Sequence, residues 1–303
     1  MAQQSADHPF AALSRDLADI VAQSARSVVA VSGRGRLTSS GFAWRSGIVV
    51  TASDALERDD EILVLTPEGE RVAATLAGRD PSTDIAVLRV EEAKNPWQSP
   101  AAGEIRPGEL ALAVGRFEGP MASLATVASA GGPWRSLRGG NIDRSLRLDR
   151  GIDPRLEGGV LVNAEGALIG MAVPGPRRAA LAIPVQTIDR VADQLLAHGR
   201  IARGYLGLGL QPVRLDDELA KASSLASPRG LLVVSVDPNG PGRRAGMLIG
   251  DIVTAWNGEA VRNVRDVFRR LGSETVGQQI SFAVIRAGKI TSANVEISER
   301  PMS

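Results

Sequence analysis

The chain is 303 residues long, which at roughly 150 residues per domain points to two globular domains with a substantial core. Its 44% hydrophobic and 23% charged residues exclude disorder, collagen and coiled coil, and 35 basic against 34 acidic residues leave no overall charge for nucleic acid or an anionic membrane. Cysteine is absent, so disulfides, thiolate metal sites and cysteine nucleophiles are out; His8, His198, Lys94, Lys221 and Lys289 are the only ordinary bases for chemistry near neutral pH.

Residues 1–26 form an N-terminal segment in which Phe10, Leu13, Leu17, Ile20 and Val21 recur at helical spacing, predicting a short amphipathic helix over 10–24. It serves as a cap on the first domain or as an oligomerisation arm. No basic stretch leads into an unbroken apolar run, and nothing reaches the roughly 20 apolar residues that span a bilayer. The sequence as it stands is expected to be cytoplasmic, or periplasmic or secreted if the native start lies upstream.

From Ser27 to about Ala182, runs of five to eight Val-, Ile- and Leu-rich residues punctuated by Gly, Pro and Asn read as an all-β barrel or sandwich. Asn163-Ala-Glu-Gly166 between apolar runs is a hairpin signal. Pro184 to His198 then changes period, placing Val185, Ile188, Val191 and Leu195 on one helical face with Gly199 as C-cap. A domain of 27–198, a linker at 199–203 and a second unit of 204–299 follow. That second unit mixes strands with helical stretches near 215–222 and 263–271, and has turns at Asp237-Pro-Asn-Gly240, Asn257-Gly258 and Ala287-Gly288.

In the second unit, Arg203-Gly-Tyr-Leu-Gly-Leu208 resembles the carboxylate-binding loop of a PDZ domain of the HtrA type. Ala245-Gly-Met-Leu-Ile-Gly-Asp-Ile-Val253, followed by Trp256-Asn-Gly258, resembles that family's Gly-Asp and Asn-Gly stretch. Successive backbone N–H groups in a glycine loop can hold a terminal carboxylate while the peptide adds a strand to an open sheet edge. The resemblance therefore implies a peptide site at Tyr205, Leu206, Gly207, Leu208, Val264, Phe268 and Leu271, although an i, i+3, i+4, i+7 stripe also suits plain core packing.

The first domain resembles the chymotrypsin-like protease domain of the HtrA/Deg family. Asp80-Pro-Ser-Thr-Asp-Ile-Ala-Val-Leu88 matches the segment carrying the triad aspartate, at Asp84. Ile48-Val-Val-Thr-Ala-Ser-Asp-Ala-Leu56 matches the histidine segment, and Asp149 to Asn163 matches the nucleophile segment. The fold implied is mainly β, a chymotrypsin-like double β-barrel followed by a small α+β PDZ domain. The histidine position is Asp54 and the serine position is Glu157, while Arg155-Leu156 replaces the Gly-Asn of the oxyanion-hole loop and Val160 replaces a proline.

A serine mechanism needs an imidazole to take the hydroxyl proton and return it to the leaving amine. The expectation is accordingly a pseudoprotease: no catalytic residues, degenerate triad positions at Asp54, Asp84 and Glu157, no cofactor, and a binding, scaffold or chaperone-like role in protein quality control. The partners implied are peptide or protein C-termini, unfolded proteins and further copies of the chain (a trimer by family resemblance), with no nucleic acid and no membrane span. The alternative is an endopeptidase that works through an unorthodox carboxylate or metal-assisted site. Three converging carboxylates must be compensated by protonation, by an arginine such as Arg150 or Arg155, or by a hard cation such as Mg²⁺ or Ca²⁺. The six arginines of residues 134–155 form either a basic patch for an acidic partner or a solvated loop with internal ion pairs.

Overall fold

A computed structural model describes residues 9–33, 36–93, 95–176, 179–216, 218, 227–299 and 301. His8, Lys94, Lys221 and most of the helix expected near 215–222 lie outside the described residues. The chain divides into two compact units, Met1–Ile201 and Ala202–Ser303.

The first unit opens with helix α1 (Pro9–Ser24), whose Leu17, Ile20 and Val21 pack on the core while Phe10 and Leu13 stay exposed. Strands β1 (Val28–Gly33), β2 (Arg36–Arg45), β3 (Ile48–Ala52), β4 (Ile62–Leu65), β5 (Arg71–Asp80) and β6 (Ile85–Arg89) close a barrel in the order β1-β2-β3-β6-β5-β4. Alternation along these strands turns Val29, Val31, Ala43, Val49, Val64 and Leu88 into its interior.

A second closed barrel is built from β7 (Leu110–Arg116), β8 (Pro120–Gly131), β11 (Ser145–Leu148), β12 (Val160–Asn163), β13 (Leu168–Pro174) and β14 (Ala180–Pro184). The short strands β9 (Trp134–Arg135) and β10 (Asn141–Ile142) form a hairpin between β8 and β11. Two antiparallel barrels that share one apolar seam are the chymotrypsin-like arrangement. The seam joins Val28, Phe42, Val50, Ile85 and Val87 to Leu112, Val114, Val160, Met171 and Ile183. Helix α2 (Val185–His198) covers it with buried Ile188, Val191 and Leu195 and ends at Gly199 in the left-handed conformation.

One buried cation ties α1 to this body. The Arg116 guanidinium donates to the carbonyls of Val28 (2.7 Å) and Ala25 (2.8 Å), just past the helix C-terminus, where the helix dipole favours positive charge. Burial lowers its pKa.

The second unit is a five-strand antiparallel run. It is ordered β16 (Leu208–Arg214), β17 (Arg229–Val236), β18 (Ile252–Trp256), β20 (Gln279–Arg286) and β21 (Lys289–Glu296), so β16 and β21 are its edges. A two-strand sheet pairs β15 (Gly204–Tyr205) with β22 (Ser298–Glu299), and β19 (Glu259–Ala260) pairs β18. Helix α3 (Pro241–Arg244) and helix α4 (Val264–Phe268) complete it. The helix expected over 263–271 is thus one turn shorter at its C-terminal end. Its core contains Leu206, Leu231, Val233, Met247, Val253, Trp256, Val267 and Phe282. Asp251, 1% exposed, accepts a bidentate pair from Arg286 (2.8 and 2.7 Å) and pins the turn before β18.

Candidate functional site

Two loops carry the chemistry, one in each unit. In the first unit the Asp80-Pro-Ser-Thr sequence folds around its own first side chain. Buried Asp80 accepts from the Ser82 N–H (3.1 Å) and from the hydroxyls of Ser82 (2.6 Å) and Thr83 (2.8 Å). That turn delivers Asp84 with φ of 59°, its Oδ1 accepting from the Asp54 N–H at 2.8 Å and its carbonyl from the Ser53 N–H at 3.2 Å. Asp54 and Asp84 are therefore locked side by side at the ends of β3 and β6.

Glu157 arrives from the second barrel, after a single 3-10 turn at Pro154–Leu156. Ser40 on β2 bolts this loop to the first barrel. Its N–H donates to the Glu157 carbonyl (2.8 Å) and its hydroxyl to the Arg155 carbonyl (2.6 Å), while the same hydroxyl accepts from the Arg116 N–H (2.9 Å). Gly158 follows with φ of +81°, and a Cβ there would run into the Ser40 carbonyl and the Ala52 N–H.

The charges of Asp84 and Asp54 act on Glu157. Burial, followed by the like charges of Asp84 and Asp54, pushes the half-buried Glu157 carboxyl up to about 7. Burial also raises Asp84, to about 6, against the opposing hydrogen bond from the Asp54 N–H. The compensating arginine is neither Arg150 nor Arg155, as the sequence suggested, but Arg138 from the β9–β10 hairpin. Its Nη1 donates to Asp54 Oδ1 (2.6 Å) and to the Pro81 carbonyl (3.1 Å), and Ser136 fixes the same hairpin by donating to the Ser82 carbonyl (2.6 Å).

Arg155 is instead held by Asp153 in two contacts (2.9 and 2.7 Å) and lies over the Phe117 ring; Arg150 sits 3.8 Å from Asp149. The arginine-rich segment thus keeps internal ion pairs and sends one arginine to the acidic cluster. Among the described residues no group of three His, Cys, Asp or Glu side chains is placed to hold a metal ion.

In a serine-protease loop, the backbone N–H of the nucleophile and that of the residue two before it face the developing oxyanion. Here both are taken. The Arg155 N–H donates to Asp153 Oδ1 (2.9 Å) and the Glu157 N–H to the Pro154 carbonyl (3.1 Å). The nearby hydroxyl of Ser82 is spent on Asp80, and His198 is exposed at the end of α2. The roles of Ser40 and Arg138 escape a reading of the sequence, since Ser40 acts 115 residues away and Arg138 is one of six arginines in its segment.

In the second unit, the loop between β15 and β16 is organised oppositely. The Leu206 carbonyl accepts from the Gly242 N–H (2.8 Å) and the Gly207 carbonyl from the Asp237 N–H (2.8 Å). The N–H groups of Leu206 and Gly207 have no acceptor among the described residues. Gly207 has φ of +68°, and a Cβ would lie 2.9 Å from Gly240 Cα, so the loop tolerates only glycine there. Edge strand β16 pairs with β17 alone, and α4 lies against it.

The residues expected in the groove separate by role. Tyr205 donates its hydroxyl to Asp237 Oδ2 (2.8 Å) and braces the loop. Leu206 turns its side chain into the core at 3% exposure. Leu208, Val264 and Leu271 are partly buried against the core, and Phe268 is 57% exposed on α4. Val267, which the sequence reading did not single out, is the helix residue that enters the core.

The geometry defines a trypsin-like peptidase domain joined to a PDZ domain, and family models match in that order: a trypsin-like peptidase domain over residues 39–171 and a PDZ domain over 204–297. Similar curated proteins include the probable periplasmic serine endoprotease DegP-like of Brucella suis, 33% identical over 273 residues that span 86% of this chain and 52% of that protein. The periplasmic serine endoprotease DegP of Salmonella typhimurium is 30% identical over 266 residues, 85% of this chain and 55% of its own length. The chain thus spans about half the length of these relatives.

Among solved structures, the HtrA-type protease AlgW with a decapeptide matches with a TM-score of 0.71 at 25% identity, over 94% of this chain and 99% of that one. A serine endoprotease from Yersinia pestis matches at 0.69 and 25%, over 94% and 98%. The chain belongs to the HtrA/Deg-type family.

Proposed function

We propose that this chain binds the C-termini of peptides or proteins through its PDZ groove, and that its protease-like domain supports that binding without a serine mechanism. The observation that carries the reading is the contrast between two loops. The Leu206 and Gly207 N–H groups are left for an incoming carboxylate, whereas the Arg155 and Glu157 N–H groups are already bound within the chain. No hydroxyl–imidazole pair exists at Asp54, Asp84 and Glu157. A scaffold or holding role in protein quality control fits this division of labour. The exposed Phe10 and Leu13 of α1 support assembly with further copies of the chain. The periplasmic names of the relatives support a location outside the cytoplasm.

A second reading is an endopeptidase, and the relatives' names favour it: they are serine endoproteases. Its support within the chain is Glu157, whose carboxyl is raised to about 7 and so can give or take a proton near neutral pH. In this reading Glu157 and its acidic neighbours work without serine.

One experiment separates the two. An unfolded protein substrate is incubated with the wild-type chain and with Glu157→Ala, with and without saturating C-terminal peptide, and the products are weighed by intact mass spectrometry. Intact substrate throughout is expected. Fragments with the wild type that vanish with Glu157→Ala would establish the endopeptidase.

A further inference from the structure

Resting on the peptide-binding reading of the second unit, we infer that the groove selects C-termini carrying an acidic side chain two or three residues before an apolar terminal residue, read by Arg265 with Arg269 beside it. Helix α4 supplies the geometry. Its Val264 and Val267, with Leu271 just beyond it, pack on the core, which sets the face turned toward the sheet. On one flank of that face Arg270 reaches Glu259 (2.7 Å) and lies over the Trp256 ring, so this flank looks toward β18 and β19. At 100° per residue, Phe268 and then Arg265 fall on the opposite flank, toward the open edge strand β16.

The helix also has a direction along the groove. Leu271 sits by Gly204, since a Cβ on Gly204 would lie 3.0 Å from its Cδ2, so the C-terminal end of the helical segment marks the carboxylate loop. Arg265 lies six residues back, about 9 Å at 1.5 Å per helical residue. A peptide strand covers that distance in just under three residues at about 3.3 Å each. A side chain two or three positions before the terminal residue therefore passes beneath the Arg265 guanidinium, and the apolar terminal residue lies against Leu208, Phe268 and Leu271.

Charge argues for the sign of the partner. Arg265 and Arg269 are both exposed, stand one turn apart, and form no ion pair among the described residues. Like charges at i, i+4 oppose each other, and an anionic side chain between them relieves that repulsion. The nearest acid on the helix, Asp266, accepts the Arg262 backbone N–H at Oδ2 (3.0 Å) and so turns to the helix start. At the carboxylate loop, Asp237 is likewise held, by the Asn239 N–H (3.0 Å) and the Tyr205 hydroxyl (2.8 Å).

The test is fluorescence polarisation on the full chain with four labelled ten-residue peptides. One ends Glu-Glu-Ala-Leu with a free carboxylate, one Gln-Gln-Ala-Leu, one Lys-Lys-Ala-Leu, and the fourth is the acidic peptide amidated at its C-terminus. The acidic peptide should bind about 5-fold tighter than the neutral one, the scale of two exposed ion pairs, and the gap should close in about 1 M salt. In Arg265→Gln/Arg269→Gln, two exposed replacements, all three free-acid peptides should converge on one Kd. Equal affinities in the wild type, or an acidic preference that survives in the double variant, would overturn the selection by these arginines while leaving the groove in place. Undiminished binding of the amidated peptide would instead remove the groove reading on which the selection stands.

Discussion

The chain contains two short loops that are built to present backbone N–H groups, and they have opposite fates. In the loop at 153–157, Asp153 supplies a carboxylate to the Arg155 N–H and Pro154 a carbonyl to the Glu157 N–H, so the cradle is filled by its own chain. In the loop at 205–208, Gly242 and Asp237 take up the carbonyls from behind, and the Leu206 and Gly207 N–H groups have no acceptor among the described residues. Both loops lead into strands and both depend on glycines with positive φ, at Gly158 and Gly207. The difference lies in where the nearest acceptor is. An acidic side chain two residues upstream closes a cradle; amide donors behind the loop keep one open. Electrostatics reinforce the contrast, since an oxyanion near Glu157 would also face Asp84 and Asp54, whereas Asp237 beside Gly207 is already paired.

The largest expected effect comes from trying to reopen the closed loop. If the self-filled cradle matters, restoring the missing groups alone does not restore reactivity. Asp54→His/Glu157→Ser should stay unlabelled by a serine-directed fluorophosphonate. Adding Asp153→Ala and Arg155→Gly removes both the acceptor and the guanidinium that holds it, and labelling should then rise about 100- to 1000-fold, the worth of an oxyanion donor. Full labelling of the simple double variant would show that the loop opens on its own and would dissolve the contrast between the two loops.

A middle-sized effect concerns the acids. Glu157 is raised from 4.5 to about 7 and Asp84 from 3.8 to about 6. Between the ordinary carboxylate range and those values the folded chain binds more protons than the unfolded one, so stability falls as pH rises through that window. The wild-type melting temperature should drop between about pH 5 and 8. Glu157→Gln should flatten the curve and, at pH 8, gain about 1 to 2 kcal/mol after allowance for partial exposure, a few degrees for a unit of this size. A flat wild-type profile would mean the three acids do not share one environment.

Much of this architecture is legible in the sequence because it is local. The 3.6-residue spacing of Leu17, Ile20 and Val21, and of Ile188, Val191 and Leu195, predicts α1 and α2, and the strand runs predict two β-rich bodies. The resemblance to HtrA/Deg proteins locates Asp54, Asp84 and Glu157, and the structure couples their charges. What resists reading is long-range. Nothing near Arg138 in sequence says that its hairpin bridges to Asp54, 84 residues away, in preference to Arg150 or Arg155. Nor does a leucine in a glycine loop say which way its side chain turns: Leu206 packs inward with the core, and Phe268 stays out where Val267 takes the inward direction.

The smallest effect sharpens the comparison at the acidic cluster itself. Arg138 and Asp54 are 56% and 47% exposed, so the ion pair between them is worth little as stability, about 0.5 kcal/mol. Its electrostatic role is separable from that. The Arg138 charge lowers the Asp84 pKa and is the only opposite charge among the causes acting on the pair of raised carboxyls. Arg138→Ala should therefore leave the melting temperature at pH 5 within about 2 degrees of wild type, since an exposed pair at that pH contributes about 0.5 kcal/mol. The same variant should move the Asp84 titration, followed by carboxyl-carbon NMR, further upward. Arg138→Lys keeps a charge without the two-contact geometry, and the titration should fall between the two. If Asp84 titrates alike in all three proteins, the hairpin is a mechanical brace through Ser136 and Ser82, and the arginine at the cluster neutralises nothing.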